Sequence, residues 1–260
     1  MRLQIDWIID NLNASLSDKQ MGGKVPATQE TLQVTKAPDR SRRRQAADSP
    51  PVQDIVRRIE EDIVFRAYHP RERLIEDELM HRFGGRDEVG RQAVADLGRG
   101  GFVLRRPNSG AQVRALTAKE ATELYAGREI LETSCAKLIP LPVEARLLAA
   151  IEKIQREHTL AIKNKDVRAV FRANLAFHEA VFRLCGNDAL IEAIADFARR
   201  THPVRLTTLV TEQYLEQARG EHEQILRALR KGDRARLVAL CARHLQPSQE
   251  AYLRTIEHLD

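Results

Sequence analysis

Three histidines and one asparagine have the residue types and the spacing of metal ligands. Asn174 and His178 are four residues apart, so they lie on one face of a single predicted helix. His222 and His244 fall in two later segments that are also predicted to be helical. Three imidazoles converging inside a helical bundle would suit Zn or Ni better than Mg. An isolated histidine is more often a core or surface residue, so spacing alone leaves both interpretations open.

A cluster of arginines could contact DNA. Residues 79–115 contain seven arginines and three acids, and such a local positive excess favours a phosphate backbone as partner. Arg86 and Arg91 lie at the start of a predicted helix, where a guanidinium can bond guanine through two parallel donors. Arg105 and Arg106 lie in a predicted hairpin, in position to meet phosphate or the minor groove. Ordinary solvated arginines are the alternative.

The segment that carries these arginines has the element order of a winged helix-turn-helix. Apolar residues at helical spacing predict helices over 51–66, 75–83 and 87–99. After Gly100 and Gly101 the period changes to two, which predicts a β-hairpin of FVLRR and AQVRA around PNSG. We therefore predict a DNA-binding domain over residues 51–115. Residues 1–50 offer little that could form a core and are predicted to be a mobile extension.

The second domain is predicted over residues 116–260 and is helical throughout. Thr117 and Glu120 have the spacing of a capping box, which starts a helix. Apolar periodicity and breaks at proline, glycine and asparagine then predict about six helices: 117–139, 142–164, 166–185, 187–209, 212–231 and 232–257. The predicted fold class is mostly α, an N-terminal winged helix-turn-helix followed by an all-helical bundle.

Charge, apolar runs and cysteine spacing predict the cellular compartment. The net charge is +5, and no apolar run approaches the roughly 20 residues that cross a membrane. The three cysteines, Cys135, Cys185 and Cys241, have no paired spacing, which indicates a reducing compartment and simple packing roles. The N-terminus does not read as a secretory signal, so we expect a cytoplasmic protein without membrane partners.

Several of these segments resemble the GntR family of transcription regulators. In the first domain the resemblance runs through LIEDELMHRFGG (74–85), VGRQAVADLGRGGFV (89–103) and RRPNSGAQV (105–113). In the second it runs through ELYAGREILE (123–132), ANLAFHEAVFRLCGN (173–187), EHEQILRAL (221–229) and GDRARLVALCARHL (232–245). These are similar to the FadR-type subfamily, which carries an all-helical FCD sensor domain.

The resemblance implies a homodimer that binds a palindromic double-stranded DNA operator and responds to a small carboxylate effector. It also implies a divalent metal, Zn or Ni here, held by Asn174, His178, His222 and His244. The subfamily has Asp where this chain has Asn174, so we expect weaker metal binding. Its usual Ser-Arg pair is replaced by Arg86 and Asp87, which changes the expected base preference.

Arg128 and Arg205 are the candidate effector ligands, because a guanidinium can hold a carboxylate through two bonds. Alternatively either arginine forms a salt bridge, for example Arg128 with Glu132 four residues later.

Two other functions would use the same residues. A metal-dependent hydrolase or lyase could employ the three histidines, but no HExxH, DxD or nucleophile motif accompanies them. A metal-storing or purely dimerising bundle would leave the basic hairpin unexplained. We therefore predict a non-enzymatic regulator.

Overall fold

The structure is a computed structural model that describes residues 51–83, 87–106, 110–204 and 211–257. The predicted N-terminal extension, residues 1–50, lies outside the described residues, as do Arg86 and Arg205. Residues 50–260 form one compact unit.

The N-terminal part follows the predicted element order and adds one strand. Its elements are α1 Val52–Val64, β1 Arg73–Leu74, α2 Glu76–Phe83, α3 Asp87–Arg99, β2 Val103–Arg106 and β3 Gly110–Val113. The strands form an antiparallel sheet in the order β1-β3-β2, with Gln112 of β3 facing Arg73 on one side and Leu104 on the other. The sequence missed β1 because two residues are too few to show alternation.

Six long helices of the C-terminal part are described, and they correspond to the six predicted ones. They are α4 Ala118–Leu138, α5 Ala145–Lys163, α6 Val167–Arg183, α7 Asp188–Arg200, α8 Glu212–Lys231 and α9 Arg234–Glu257. None of the described helices combines the length and apolarity needed to cross a membrane.

The capping box at the start of α4 is confirmed. The Glu120 amide donates to Thr117 Oγ1 at 3.2 Å, and the Thr117 amide donates to Glu120 Oε2 at 2.9 Å. Arg114, just after β3, also binds Glu120 at 2.6 Å. The N-terminus of α4 is thereby tied to the end of the sheet.

The fourth predicted bundle helix, 187–209, is wrong at its C-terminal end. α7 stops at Arg200, and Thr201 caps it with its backbone amide bonded to the preceding turn. A separate helical segment begins at His202. Apolar periodicity continues through this region, so the sequence pattern alone could not show the break.

One hydrophobic core joins the N-terminal part to the bundle. Ile55 and Ile59 of α1 and Leu97 of α3 belong to the same buried cluster as Val170 and Phe171 of α6. α6, which carries two of the predicted metal ligands, therefore shares a core with the part of the chain predicted to bind DNA.

Candidate metal centre and nucleic-acid interface

The structure brings the three predicted histidine ligands together. His178 comes from α6, His222 from α8 and His244 from α9, and their candidate ligand nitrogens all lie within 4.8 Å of one another. His178 Nε2 and His244 Nε2 are 3.1 Å apart. Two nitrogens bound to one ion at about 2.0–2.1 Å would be separated by roughly 2.9–3.4 Å, so this spacing fits shared coordination.

Protein groups hold the other nitrogen of two of these rings. Glu221 Oε2 lies 2.6 Å from His244 Nδ1, and Gln155 Oε1 lies 2.9 Å from His222 Nδ1. With Nδ1–H donating to these oxygens, Nε2 carries the lone pair that a metal requires. The ring of Phe177 stacks on His222 at a centroid distance of 4.0 Å, which fixes the ring plane.

Glu221 is charged and held in place by the cluster. Burial alone would raise the pKa of Glu221, but the hydrogen bonds from His244 and Gln217 and the nearby charge of Arg243 outweigh it, so the pKa lies below its usual range. Gln217 also donates to this carboxylate, at 3.1 Å. A carboxylate in this position increases the basicity of the ligand that it contacts.

Asn174 lies beside the histidines on the wall of a cavity of about 80 Å³. His178 and His244 line the same cavity, so the i,i+4 pair on α6 faces inward as predicted. Tyr125 and Ser248 close another part of the wall and hydrogen-bond to each other at 2.6 Å. A cavity with several polar side chains next to clustered imidazoles has the features of a small-molecule site.

His158, which the sequence pattern did not single out, also lines this cavity. Its ring centroid is 5.0 Å from that of His222, and its side chain is 1% exposed. Burial, with smaller contributions from His244 and Arg219, lowers the pKa of His158 to about 4, so the ring is neutral at pH 7. Its Nδ1 has no hydrogen-bond partner within the described part of the chain.

Of the two arginines predicted to bind the effector, the structure describes Arg128 but not Arg205. Arg128 lines the cavity, but it is buried and paired with Glu132, whose Oε1 lies 2.9 Å from Nε and 2.8 Å from Nη2. It also donates to Thr201 at 3.2 Å. The salt-bridge alternative is therefore present, while the effector role stays a prediction. Arg205 lies outside the described residues.

The arginine cluster of residues 79–115 divides into paired and unpaired side chains. Arg82 pairs with Asp62, Arg99 with Asp96 and Arg114 with Glu120. Within the described residues, Arg91 on α3 and Arg105 on β2 are exposed and form no recorded ion pair. The backbone of Arg106 lies in β2, and its side chain is outside the described part, like all of Arg86.

A network of ion pairs connects α6 to α1 and α2. Glu61 and Asp62, near the end of α1, are only 6% and 5% exposed. Arg168 at the start of α6 binds both carboxylates at 3.1 Å, and Arg172 binds Glu61 at 3.2 Å. Asp62 also binds Arg82 of α2 at 2.7 Å. The helix that carries Asn174 and His178 is thus connected through charges to two helices of the N-terminal part.

Known proteins show the same architecture. The sequence profile of the FCD domain matches residues 123–247, which include all six bundle helices in whole or part. Residues 123–247 thus match the FCD domain, and the proteins to which the chain is similar include transcription regulators of the GntR family. The FCD match takes in the three clustered histidines and Asn174.

Three relatives illustrate the similarity. The HTH-type transcriptional regulator YdhC of Bacillus subtilis is 26% identical over 165 residues, which are 63% of this chain and 74% of YdhC. The structure of Escherichia coli McbR/YncC superposes with a TM-score of 0.70 at 18% identity, covering 80% of this chain and 99% of that one. A protein of Rhodococcus sp. RHA1 assigned as a GntR transcriptional regulator superposes with a TM-score of 0.66 at 19% identity, covering 78% and 97%. At these identities the two structures establish a shared fold.

Proposed function

We propose that the protein is a ligand-responsive repressor or activator that binds a palindromic DNA operator as a homodimer in the cytoplasm. The observation that carries the sensing role is the three-histidine cluster, which opens onto a cavity inside the bundle. In this proposal residues 51–115 are a winged helix-turn-helix and residues 116–260 are the sensor, while residues 1–50 are an extension.

DNA recognition is assigned to α3 and the β2–β3 hairpin. In a helix-turn-helix the second helix of the pair enters the major groove and its first turns contact base edges. Arg91 lies in the first half of α3, and its exposed, unpaired guanidinium within the described structure supports a contact with a base. Arg86 would act at the same end, and Arg105 and Arg106 would contact the backbone or the minor groove from the hairpin.

The metal is assigned to His178, His222, His244 and Asn174. Three converging imidazoles, two of which have Nδ1 held by protein oxygens, favour Zn or Ni, and the amide oxygen of Asn174 is a fourth, weaker donor on the same cavity wall. A bound divalent cation would supply positive charge and open positions for an anionic ligand. Glu221 and Gln155 would orient the imidazoles around it.

The effector is a small carboxylate bound in the cavity beside the metal. The charge of Arg128 is already balanced by Glu132, so we assign it a supporting contact and not the main charge partner. Its bonds to Glu132 and Thr201 leave some of the five guanidinium donors for an effector oxygen. Arg205 keeps the same proposed role.

The regulator interpretation is favoured over a metal-dependent hydrolase or lyase. An enzyme of that type needs a base directed at metal-bound water. The carboxylate nearest the histidines, Glu221, is instead bonded to His244 Nδ1 and Gln217. The similarity to named transcriptional regulators points the same way.

A gel shift with the protein's own promoter DNA tests the proposal. We expect binding that weakens steeply with salt and changes when a carboxylate effector is added to metal-loaded protein. Arg91→Ala should lose roughly 1–3 kcal/mol of specific binding, whereas Lys119→Ala, an exposed change at the start of α4, should have little effect. Binding of Arg91→Ala with unchanged affinity would show that α3 does not read the operator in this way.

A further inference from the structure

Two of the three cysteines, Cys135 and Cys185, come together in the fold although they are 50 residues apart in the sequence. Cys135 lies on α4 and Cys241 on α9, while Cys185 lies in the turn that follows α6. The Cys135 thiol donates to the Phe182 carbonyl at 3.3 Å, and the backbone amide of Cys185 donates to the same oxygen at 3.1 Å. Cys135 and Cys185 therefore share one acceptor oxygen, which brings the two residues next to each other. The expectation of independent packing roles is therefore incomplete.

The members of this cysteine pair differ in access to solvent. Cys135 is completely buried, whereas Cys185 is partly exposed. Burial, followed by the hydrogen bond to Cys185, raises the pKa of the Cys135 thiol well above its usual range. Cys185 is thus the thiol that a dissolved oxidant meets first, with Cys135 directly behind it.

We propose that Cys135 and Cys185 form a reversible disulfide when the protein meets a hydroperoxide. Cys185 sulfur attacks the peroxide, so the O–O bond breaks, an S–O bond forms, and water or an alcohol leaves. Cys135 sulfur then attacks the Cys185 sulfenic acid, the S–S bond forms, and the departing hydroxide takes the Cys135 proton as water. Two thiols are oxidised by two electrons and one peroxide is reduced.

The local backbone can accommodate this cross-link. The sulfurs must close to about 2 Å, and the required movement falls in the short turn between α6 and α7. Gly186, next to Cys185, has a positive φ of 67° and open space around it. The adjustment can therefore occur in this turn without disturbing a helix.

The disulfide would tie the end of α6 to α4. Phe182, whose carbonyl lies between the two cysteines, also stacks its ring on His178 at 6.1 Å. Oxidation would therefore act on the helix that carries Asn174 and His178. The disulfide itself does not depend on the proposed metal or DNA functions.

Peptide mapping of the full chain decides the proposal, because trypsin places the cysteines in three separate peptides, 129–137, 184–199 and 237–243. Reduced protein is treated with stoichiometric hydrogen peroxide, alkylated and digested. We expect peptides 129–137 and 184–199 to be joined, two hydrogens lighter than their sum, with 237–243 alkylated. Dithiothreitol should restore three free thiols.

Single substitutions provide the controls. Cys185→Ala should leave Cys135 reduced after peroxide, while Cys241→Ala should retain the cross-link. A Cys135–Cys241 link, or Cys185 oxidised to sulfinic acid beside an alkylatable Cys135 in the wild-type chain, would overturn the proposal, as would three unmodified thiols. The wild-type map decides even if a variant fails to fold.

Discussion

At the residue scale, protein groups already orient the imidazoles that we propose as metal ligands. Glu221 and Gln155 already hold the Nδ1 atoms of His244 and His222, and Phe177 stacks against His222. Such partners reduce the reorganisation that metal binding requires. An unfolded chain has no equivalent site, so a bound metal should stabilise the folded bundle.

This linkage predicts that a chelator destabilises the wild-type protein. Free metal at about 100 times its dissociation constant contributes roughly 2.7 kcal/mol, so its removal should lower the Tm by about 5–10 °C. His178→Ala and His222→Ala should abolish the difference between samples with and without chelator, whatever their own Tm. Asn174→Asp should enlarge it, because a carboxylate is a stronger donor.

His69→Ala, an exposed change outside the bundle, is the matched control and should keep the wild-type difference. Differential scanning fluorimetry, with metal analysis of the same samples, makes the measurement. If wild-type protein takes up no zinc or nickel and melts identically with and without chelator, the histidines are only polar lining of the cavity.

Glu60 on α1 gives a second residue-scale prediction, because its carboxyl is largely removed from water. Burial raises the pKa of Glu60 to about 7, with Arg199 opposing the shift and Glu61 adding to it. The unfolded chain loses this proton near pH 4.5, so the folded state binds more protons between pH 4.5 and 7. The free energy of unfolding should therefore fall as the pH rises through this window.

Glu60→Gln removes this dependence. At pH 8 it should raise the free energy of unfolding by about 1–3 kcal/mol, with a much smaller gain at pH 5. Urea unfolding at both values checks the prediction, and Glu129→Gln, an exposed change on α4, serves as the control. An equal gain at both pH values would mean that the effect is not electrostatic.

At the element scale, α6 is the helix best placed to transmit a signal. It carries Asn174 near its middle and His178 in its second half, and Arg168 near its start binds the buried pair Glu61 and Asp62 of α1. Arg82 of α2 meets the same Asp62. A shift of α6 on ligand binding would change these contacts, and with them the position of α2. These contacts form a physical path between the ligand cavity and the DNA-binding part. The test of this path is the coupling free energy between effector binding and operator binding.

Arg168→Ala should weaken this coupling more than it weakens folding. The substitution removes charged hydrogen bonds to Glu61 and Asp62. Arg172 still binds Glu61 and Arg82 still binds Asp62, so we expect a loss of about 1–3 kcal/mol in the free energy of unfolding. The change in operator affinity caused by effector should shrink towards one-fold from the roughly 5- to 150-fold that is typical of allosteric coupling.

Arg57→Ala provides the comparison, since it breaks an exposed ion pair with Asp54 on the same helix. It should leave the free energy of unfolding and the effector-dependent change in operator affinity nearly unchanged. Fluorescence anisotropy on labelled operator, with and without effector, measures the coupling. A variant at Arg168 that retains the full effector response would exclude this network as the path.

At the scale of the whole molecule, a shared hydrophobic core joins the N-terminal part to the bundle. A rigid junction would let dimerisation of the bundle fix the spacing of two DNA-reading helices. We expect a dimer by light scattering and a footprint with two inverted half-sites about one helical turn apart. Monomeric protein that protects one asymmetric half-site would contradict this arrangement.

The sequence by itself determined the features that depend on local spacing. The six bundle helices, the capping box at Thr117 and the shared face of Asn174 and His178 follow from helical periodicity, which residues within one turn impose. The resemblance to FCD regulators placed His222 and His244 in the same site. Local spacing failed where an element was too short, at β1, or where periodicity ran past a break, at Arg200.

Only the tertiary structure decided which distant side chains meet. The burial of Glu61 and Asp62 against Arg168, the position of His158 beside His222, and the bond of Cys135 to the turn of Cys185 all join separate elements. Such contacts depend on how helices cross and rotate against one another, and packing of the whole core sets those angles. A one-dimensional pattern shows which face of a helix is buried, but it does not show which residue lies opposite.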